Sequence, residues 1–335
     1  RKIKDRSIEK KSLRIIKMYK KIIFIVSVFF IGCDSNTTAY KPVSSGKIHS
    51  ISVVMDNKLW KGSAGKELQE VFSSEFLGLP QQEPLFTLNQ IPPSIFTDFT
   101  RESRNIIIVS KSSTDSVFIQ TNKFASPQKI LYIQGKSIKN LIDQISKKSK
   151  KAISVFRANE IKEKQKRIKN SILKTNEFDS IGISLTMSSG YKLFKKEDKN
   201  KLWFQRETQK GSVNILVYTL PLFEKNPDLE RVIALRDSIG EAFVPGRNKD
   251  SYLITEKAYE PYFFKTKINS LNVFETRGTW EVVNDYMAGP FLNYFIKDKK
   301  NNRTLIIEGF VFSPSVRKRE YLVEIEAVIR SLKIL

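Results

Sequence analysis

Residues Ser137–Lys174 read as one long helix, and it divides the chain into two strand-bearing halves. Ile138, Leu141, Ile142, Ile145, Ala152, Ile153 and Phe156 recur at helical spacing and form an apolar stripe. A large apolar side chain contributes roughly 1.5–3 kcal/mol when buried. A lysine beside an anionic membrane gains only about 1 kcal/mol. The stripe is therefore expected on the sheet of the first half, with Lys147, Lys148, Lys150 and Lys151 in solvent. Thirteen Lys/Arg lie between Lys136 and Lys174, against Asp143, Glu160 and Glu163. A second reading thus stays open, a basic amphipathic helix lying on an anionic membrane. Beyond Phe156 the stripe thins to Ile161, Ile168 and Ile172, which predicts a more exposed second half linking two domains.

The pattern around this helix is α+β. Before it, strands are expected over Ile48–Met55, Asn105–Ser110, Val117–Gln120 and Ile130–Ile133. Asp56–Gly62 reads as a turn, and Ser63 as the cap of a helix carrying Leu68, Val71, Phe72 and Phe76. After the long helix, strands are expected over Ile181–Met187, Lys201–Glu207 and Val213–Leu220. Asn226 and Pro227 then open a helix that Gly240 closes. A meander follows over Tyr259–Lys267, Leu271–Val283, Phe291–Lys297 and Thr304–Phe312. Ser313 and Pro314 open a last helix striped by Tyr321, Leu322, Ile325, Val328, Ile329 and Leu332. The expectation is two α/β-sandwich-like domains, residues 47–176 and 177–335. In each, an antiparallel sheet packs against helices, and the long helix joins the two.

The N-terminus carries a different signal. Lys20 and Lys21 precede an apolar run from Ile22 to Ile31, then Gly32 and the one cysteine, Cys33. A positive start, a short apolar core and a small residue before the cut define an export signal. The run is too short to span a bilayer, which takes about 20 apolar residues. A cysteine directly after the small residue resembles the lipobox of bacterial lipoproteins, with Phe30 where leucine is usual. That resemblance implies a diacylglyceryl group on Cys33, cleavage before it, and a signal peptide within residues 1–32. Acyl chains would then hold the protein to a membrane. Arg1–Lys17, with eight Lys/Arg and two Asp/Glu, is expected to lie upstream of the true start. Residues 33–46 are small and polar and read as a tether, without the acidic run that marks surface export. A domain facing the periplasm is the expectation.

Charge and cysteine count limit the chemistry. Ten Lys/Arg and two Asp/Glu precede Cys33, so the remainder keeps +15 of the formal +23. This suits anionic partners or simply solvated lysine-rich faces. No aromatic-interleaved basic motif is present, and an export signal argues against nucleic acid. With Cys33 acylated no thiol remains for a disulfide, a metal site or a nucleophile. The single histidine, His49, sits beside a strand start. Neither a metal nor another cofactor is expected.

Several motifs carry a resemblance. Gly278-Thr279-Trp280, Asn284 to Phe291, Glu308 to Pro314 and Lys318-Arg319 resemble an uncharacterised Bacteroidota lipoprotein family, domain of unknown function 4837. Leu79 to Pro84 and Ser126-Pro127-Gln128 fit it as well. The resemblance covers Lys47–Leu335 and implies location and a two-part architecture, with no activity. The element order of the second half is also similar to the PsbP/Mog1 α/β/α sandwich, whose members mostly bind partners.

Physically, most of these residues read as structural. Glu308 shares a face with Ile306 and Phe310; if buried it needs a partner, for which Arg277 and Arg317 are candidates. A cleft built from Trp280, Asn284, Asp285, Tyr286 and Glu308 is the functional reading, with Trp280, Asn284 and Tyr286 as binding residues. The expected function is a membrane-anchored envelope lipoprotein that binds an envelope protein, glycan or lipid without catalysis. The alternative is a hydrolase of envelope glycans using Asp285 and Glu308, whose carboxylates would have to lie roughly 5–9.5 Å apart.

Overall fold

The chain's first strand, β1 (Ser50–Val54), buries Ile51 and Val53 on one face and Val54 on the other. It thus sits inside a sheet covered on both sides. The computed structural model describes residues 40–335, of which Pro42–Leu335 form one unit. Cys33, the export signal and Arg1–Lys17 lie outside the described residues.

The sequence predicts a turn over Asp56–Gly62, but a short helix stands there, α1 (Asn57–Lys61); the helix expected from Ser63 follows as α2 (Ser63–Phe72), with Gly62 rather than Ser63 at its cap and Phe76 beyond its end. Asp56 caps α1 by accepting from the Lys58 amide at 2.8 Å. Strands β2 (Thr87–Ile91), β3 (Asn105–Lys111), β4 (Ser116–Thr121) and β5 (Lys129–Gly135) complete a sheet in the order β2-β1-β3-β5-β4. Only β4 and β5 pair antiparallel; β1 with β2, β1 with β3 and β3 with β5 are parallel. The antiparallel expectation therefore fails for this sheet. Its cause is the helical crossover α1–α2, which carries the chain back to its starting end before β2 begins.

The long helix α3 (Ile138–Ile168) opens on Ser137, whose hydroxyl accepts from the Asn140 amide at 3.1 Å. Leu141, Ile145, Ala152 and Phe156 are fully buried against Val53, Phe72, Ile107 and Ile133, and Ile142 and Ile153 are half-buried there. The stripe thus faces the sheet and Lys147, Lys148, Lys150 and Lys151 face solvent. Ile138 is the exception at 42% exposed, because it stands in the first turn beyond the sheet. The helix stops at Ile168, short of Lys174, and its second half is no exposed linker: Asn159, Glu160, Ile161 and Ile168 are buried.

The second half explains that burial. It contains β6 (Ile183–Ser184), β7 (Lys192–Glu197), β8 (Lys201–Thr208), β9 (Gly211–Pro221), α4 (Leu229–Phe243) and β10 (Leu253–Thr255). Strands β11 (Tyr262–Ile268), β12 (Leu271–Val282), β13 (Ala288–Asp298) and β14 (Arg303–Phe312) follow, then α5 (Arg319–Ile329) and β15 (Lys333–Ile334). An antiparallel sheet runs β10-β12-β13-β14-β9-β8-β7, with β11 also on β12. Along β14, Leu305, Ile307 and Val311 meet the core under α5, whereas Ile306 and Phe310 meet the core under α4. This is the period of two expected of a strand buried on both faces.

The second half of α3 lies along α5. Arg157 pairs with Glu326 at 3.0 Å, Lys164 with Glu324 at 2.9 Å, and Gln165 donates to the Ala327 carbonyl at 3.0 Å. Ile161 and Ile168 join the core under α5 together with Ile48, Phe76 and Leu79 from the first half.

Several boundaries differ from the sequence reading. α4 runs past Gly240, where it was expected to close, and ends at Phe243, and β11 starts at Tyr262 rather than Tyr259. The strand expected over Ile181–Met187 reduces to β6, paired with β15. Asp228, not Asn226, caps α4. The last helix starts at Arg319 rather than after Ser313, and its cap comes from the first half. Glu83 accepts from the Lys318 and Arg319 amides, and Arg319 donates to the Pro84 carbonyl at 2.6 Å. The Leu79–Pro84 and Lys318-Arg319 motifs thereby meet.

Candidate functional site

On the α4 side of the second sheet, strands from β8 across to β12 present aromatic side chains around the C-terminal end of α4, where Phe243 meets Trp203 at a ring distance of 6.3 Å. Trp203 on β8, Trp280 on β12 and Phe310 and Phe312 on β14 stand there, beside Met287. The loop after α4, Val244 to Arg247, closes the other side. Between them is a cavity of about 170 Å³. That is close to the roughly 150 Å³ of an apolar cavity that takes up benzene.

Its polar groups are few. Trp203 Nε1 donates to Asn214 Oδ1 at 2.9 Å, and Asn214 Nδ2 donates to Ser212 Oγ at 3.0 Å. Trp280 is 1% exposed, and its Nε1–H has no acceptor among the described residues. A buried N–H without a partner costs about 1–3 kcal/mol. It is therefore a place where an acceptor on a bound group would be rewarded. Gly289 packs against this edge of the indole: a Cβ there would stand 2.0 Å from the Val311 carbonyl oxygen and 3.1 Å from Trp280 Nε1.

The rim is a clip between two loops. Arg247 donates to Asp285 from Nη2 at 2.7 Å and from Nε at 3.0 Å. That bidentate bond holds the Asp285 carboxyl below the ordinary carboxylate range. Asn248 donates to the Asn284 carbonyl at 3.1 Å. Asn284 adopts the left-handed conformation, φ 58°, which asparagine tolerates better than most residues. The turn it makes leaves the next aromatic, Tyr286, fully exposed.

Of the residues singled out from sequence, Trp280 lines the cavity, while Asn284, Asp285 and Tyr286 belong to its rim loop. Glu308 is elsewhere, fully buried beneath α4. Burial raises its pKa, opposed by Arg236 at 3.0 Å and Asn293 at 2.8 Å. The partner is thus Arg236, which also lies 3.8 Å from the Phe291 ring centroid. Neither expected arginine serves: Arg277 is bound to Glu275 and Glu326 under α5, and Arg317 is exposed. Both proposed catalytic carboxylates are held by guanidinium groups.

Sequence reasoning missed Trp203, Asn214 and Arg247. The pair Trp203 and Gln205, alternating inward on β8, was a signal that could have found the first. His49 is buried between Phe76 and Phe86, at ring distances of 6.0 and 5.3 Å. Burial first, then Arg157 and Arg319, hold its pKa down to about 3. It takes no part in the cavity.

No curated protein matches the chain. Among solved structures, the Saccharomyces cerevisiae Ran-binding protein Mog1p is similar at 10% identity and a TM-score of 0.30, over 46% of this chain and 90% of that one. LpqN, involved in cell envelope biogenesis of Mycobacterium tuberculosis, is similar at 6% identity and a TM-score of 0.27, over 45% of this chain and 82% of that one. A protein from Bacteroides thetaiotaomicron is similar at 10% identity and a TM-score of 0.27, over 47% of this chain and 46% of that one. The family resemblance read from the motifs divides at α3, because the two halves match separate domain families. Residues 44–169 match the domain of unknown function DUF8532, and residues 167–331 match the domain of unknown function DUF4837.

Proposed function

We propose that this chain is a lipid-anchored binding module of the cell envelope, facing the periplasm. Its Trp280 cavity would take up a small aromatic or aliphatic group that offers one hydrogen-bond acceptor. The observation that carries the reading is the aromatic cavity itself, lined by Trp280, whose buried N–H has no acceptor among the described residues. A cavity built from packed strands suits recognition, since a site formed in advance lowers the ordering cost of binding. Asp285 and Glu308, the residues a glycan hydrolase would need, are instead engaged by Arg247 and Arg236. The export signal and Cys33 supply the anchor in this reading.

The test is crosslinking in native envelopes followed by capture of the lipidated protein, comparing wild type with Trp280→Phe. A partner present with the wild type and lost with Trp280→Phe supports the proposal. Equal recovery from both refutes the role of the cavity. Mass analysis of the captured N-terminal peptide should find acyl chains on Cys33; an unmodified Cys33 preceded by Gly32 would refute the anchor.

A further inference from the structure

We propose a second site, independent of the Trp280 cavity. The outer edge of β4 accepts an extended segment of a partner protein with alternating acidic and apolar side chains.

The first observation is the edge itself. β4 ends the first sheet, and its outer side pairs with no strand among the described residues. Proteins usually blunt such edges with lysine, proline, a bulge or shortness. The other edge strands follow that rule. β7 carries Lys192, Lys195 and Lys196 and a register shift; β11 carries Lys265 and Lys267. β10 spans three residues, and β2 runs directly into Pro92 and Pro93. By contrast, β4 has the sequence Ser-Val-Phe-Ile-Gln-Thr, uncharged and in regular register throughout.

The second observation is what flanks this edge. On the α3 side is a groove of about 840 Å³, with Val117, Ile119, Leu131 and Ala152 as its floor. Lys147, Lys148, Lys150 and Lys151 of α3 form its rim, and all four are exposed. On the opposite face Phe118 is 48% exposed and stacks on Tyr132 at 4.7 Å. An added strand directs alternate side chains to opposite faces. Its acidic set would meet the lysines and its apolar set would meet Phe118.

Charge decides against a second copy as occupant: pairing β4 with its own equivalent brings two lysine rims together. A bilayer would satisfy the lysines but leave the backbone edge unused. The joint demand of edge and charge is met by an acidic extended peptide.

The test uses the full chain in detergent and a fluorescein-labelled peptide of alternating glutamate and valine. The expected result is salt-sensitive binding that slows hydrogen exchange of the β4 amides. The variant K147Q/K148Q/K150Q/K151Q should bind about tenfold more weakly or worse, since four exposed ion pairs are lost. A peptide N-methylated on alternate residues, which cannot pair its backbone, should not bind. Equal binding of the methylated peptide overturns strand addition. Failure to bind the peptide, with or without binding of phosphatidylglycerol vesicles, overturns the proposal as well; vesicle binding would make this a membrane face. Loss of the Trp280 cavity's own partner does not enter any of these readouts.

Discussion

Glu160→Gln should destabilise the chain more than any other single isosteric change at the junction of α3 and the first sheet. Glu160 is 0% exposed and Arg104 is 1% exposed. Its carboxylate accepts from Arg104 Nε at 2.7 Å and Nη2 at 3.0 Å, from the His49 amide at 2.7 Å, and from Asn105 Nδ2. The amide keeps the shape but turns a donor group toward these donors and leaves the buried Arg104 charge with only the more distant Glu163 carboxylate, 3.8 Å away. Breaking one side of a buried pair costs about 3–5 kcal/mol, a large share of the roughly 5–15 kcal/mol that folded proteins possess. Urea unfolding followed by far-ultraviolet circular dichroism is the assay. With a denaturant slope of about 2–3 kcal/mol per M, the midpoint should fall by about 1–2.5 M. Removing both partners together, R104M/E160M, should be less harmful than Glu160→Gln, because no lone charge remains. A midpoint unchanged by Glu160→Gln, or a double variant clearly worse than the single one, would refute the reasoning.

Three further outcomes are expected. His49 is held neutral in the folded chain, with its pKa near 3 against an ordinary 6.5, so its contribution is intact above pH 6.5. As pH falls below that, the unfolded chain takes up a proton that the folded chain refuses. Wild type should therefore lose about 1.6 kcal/mol in all relative to His49→Asn between pH 6.5 and 5, and parallel curves would contradict this. Glu83→Ala should cost about 1–3 kcal/mol by uncapping the buried start of α5, with Glu83→Gln intermediate in the same urea assay. Ile145→Ala should cost about 2–5 kcal/mol, whereas Lys147→Gln with Lys148→Gln should leave the urea midpoint unchanged, since Ile145 is fully buried and both lysines are exposed.

What the sequence disclosed was what depends on neighbours along the chain. The apolar stripe of α3, the alternation on β14 and the meander from β11 to β14 are local periodicities, and they were legible with small errors at the ends. The parallel pairing of the first sheet was not legible, because β2 is largely polar and half-exposed and carries no strand signal of its own. The burial of the second half of α3 depends on α5, which lies far along the chain, and the apolar spacing of Ile161 and Ile168 alone is too sparse to announce it. Glu308 was correctly placed beside Ile306 and Phe310, yet its partner Arg236 comes from α4, across the sheet face rather than from a neighbouring motif. The cavity draws on β8, β9, β12, β14 and the loop after α4. Only Trp280 and the rim turn at Asn284 to Tyr286 stood out in advance, through the motifs that carry the family resemblance.

The central claim is that the Trp280 cavity binds an acceptor-bearing group, and the indole N–H itself reports on it. The measurement is the nitrogen-15 resonance set of the three tryptophan side chains, Trp60, Trp203 and Trp280, titrated with acetophenone, a benzene-sized ring carrying one carbonyl. Ethylbenzene, which lacks the acceptor, is the control. The account predicts that acetophenone moves the Trp280 indole proton downfield in a saturable way and binds more tightly than ethylbenzene, with Trp60 unmoved. A Trp280 resonance that ignores both compounds, or responds equally to both, would contradict it.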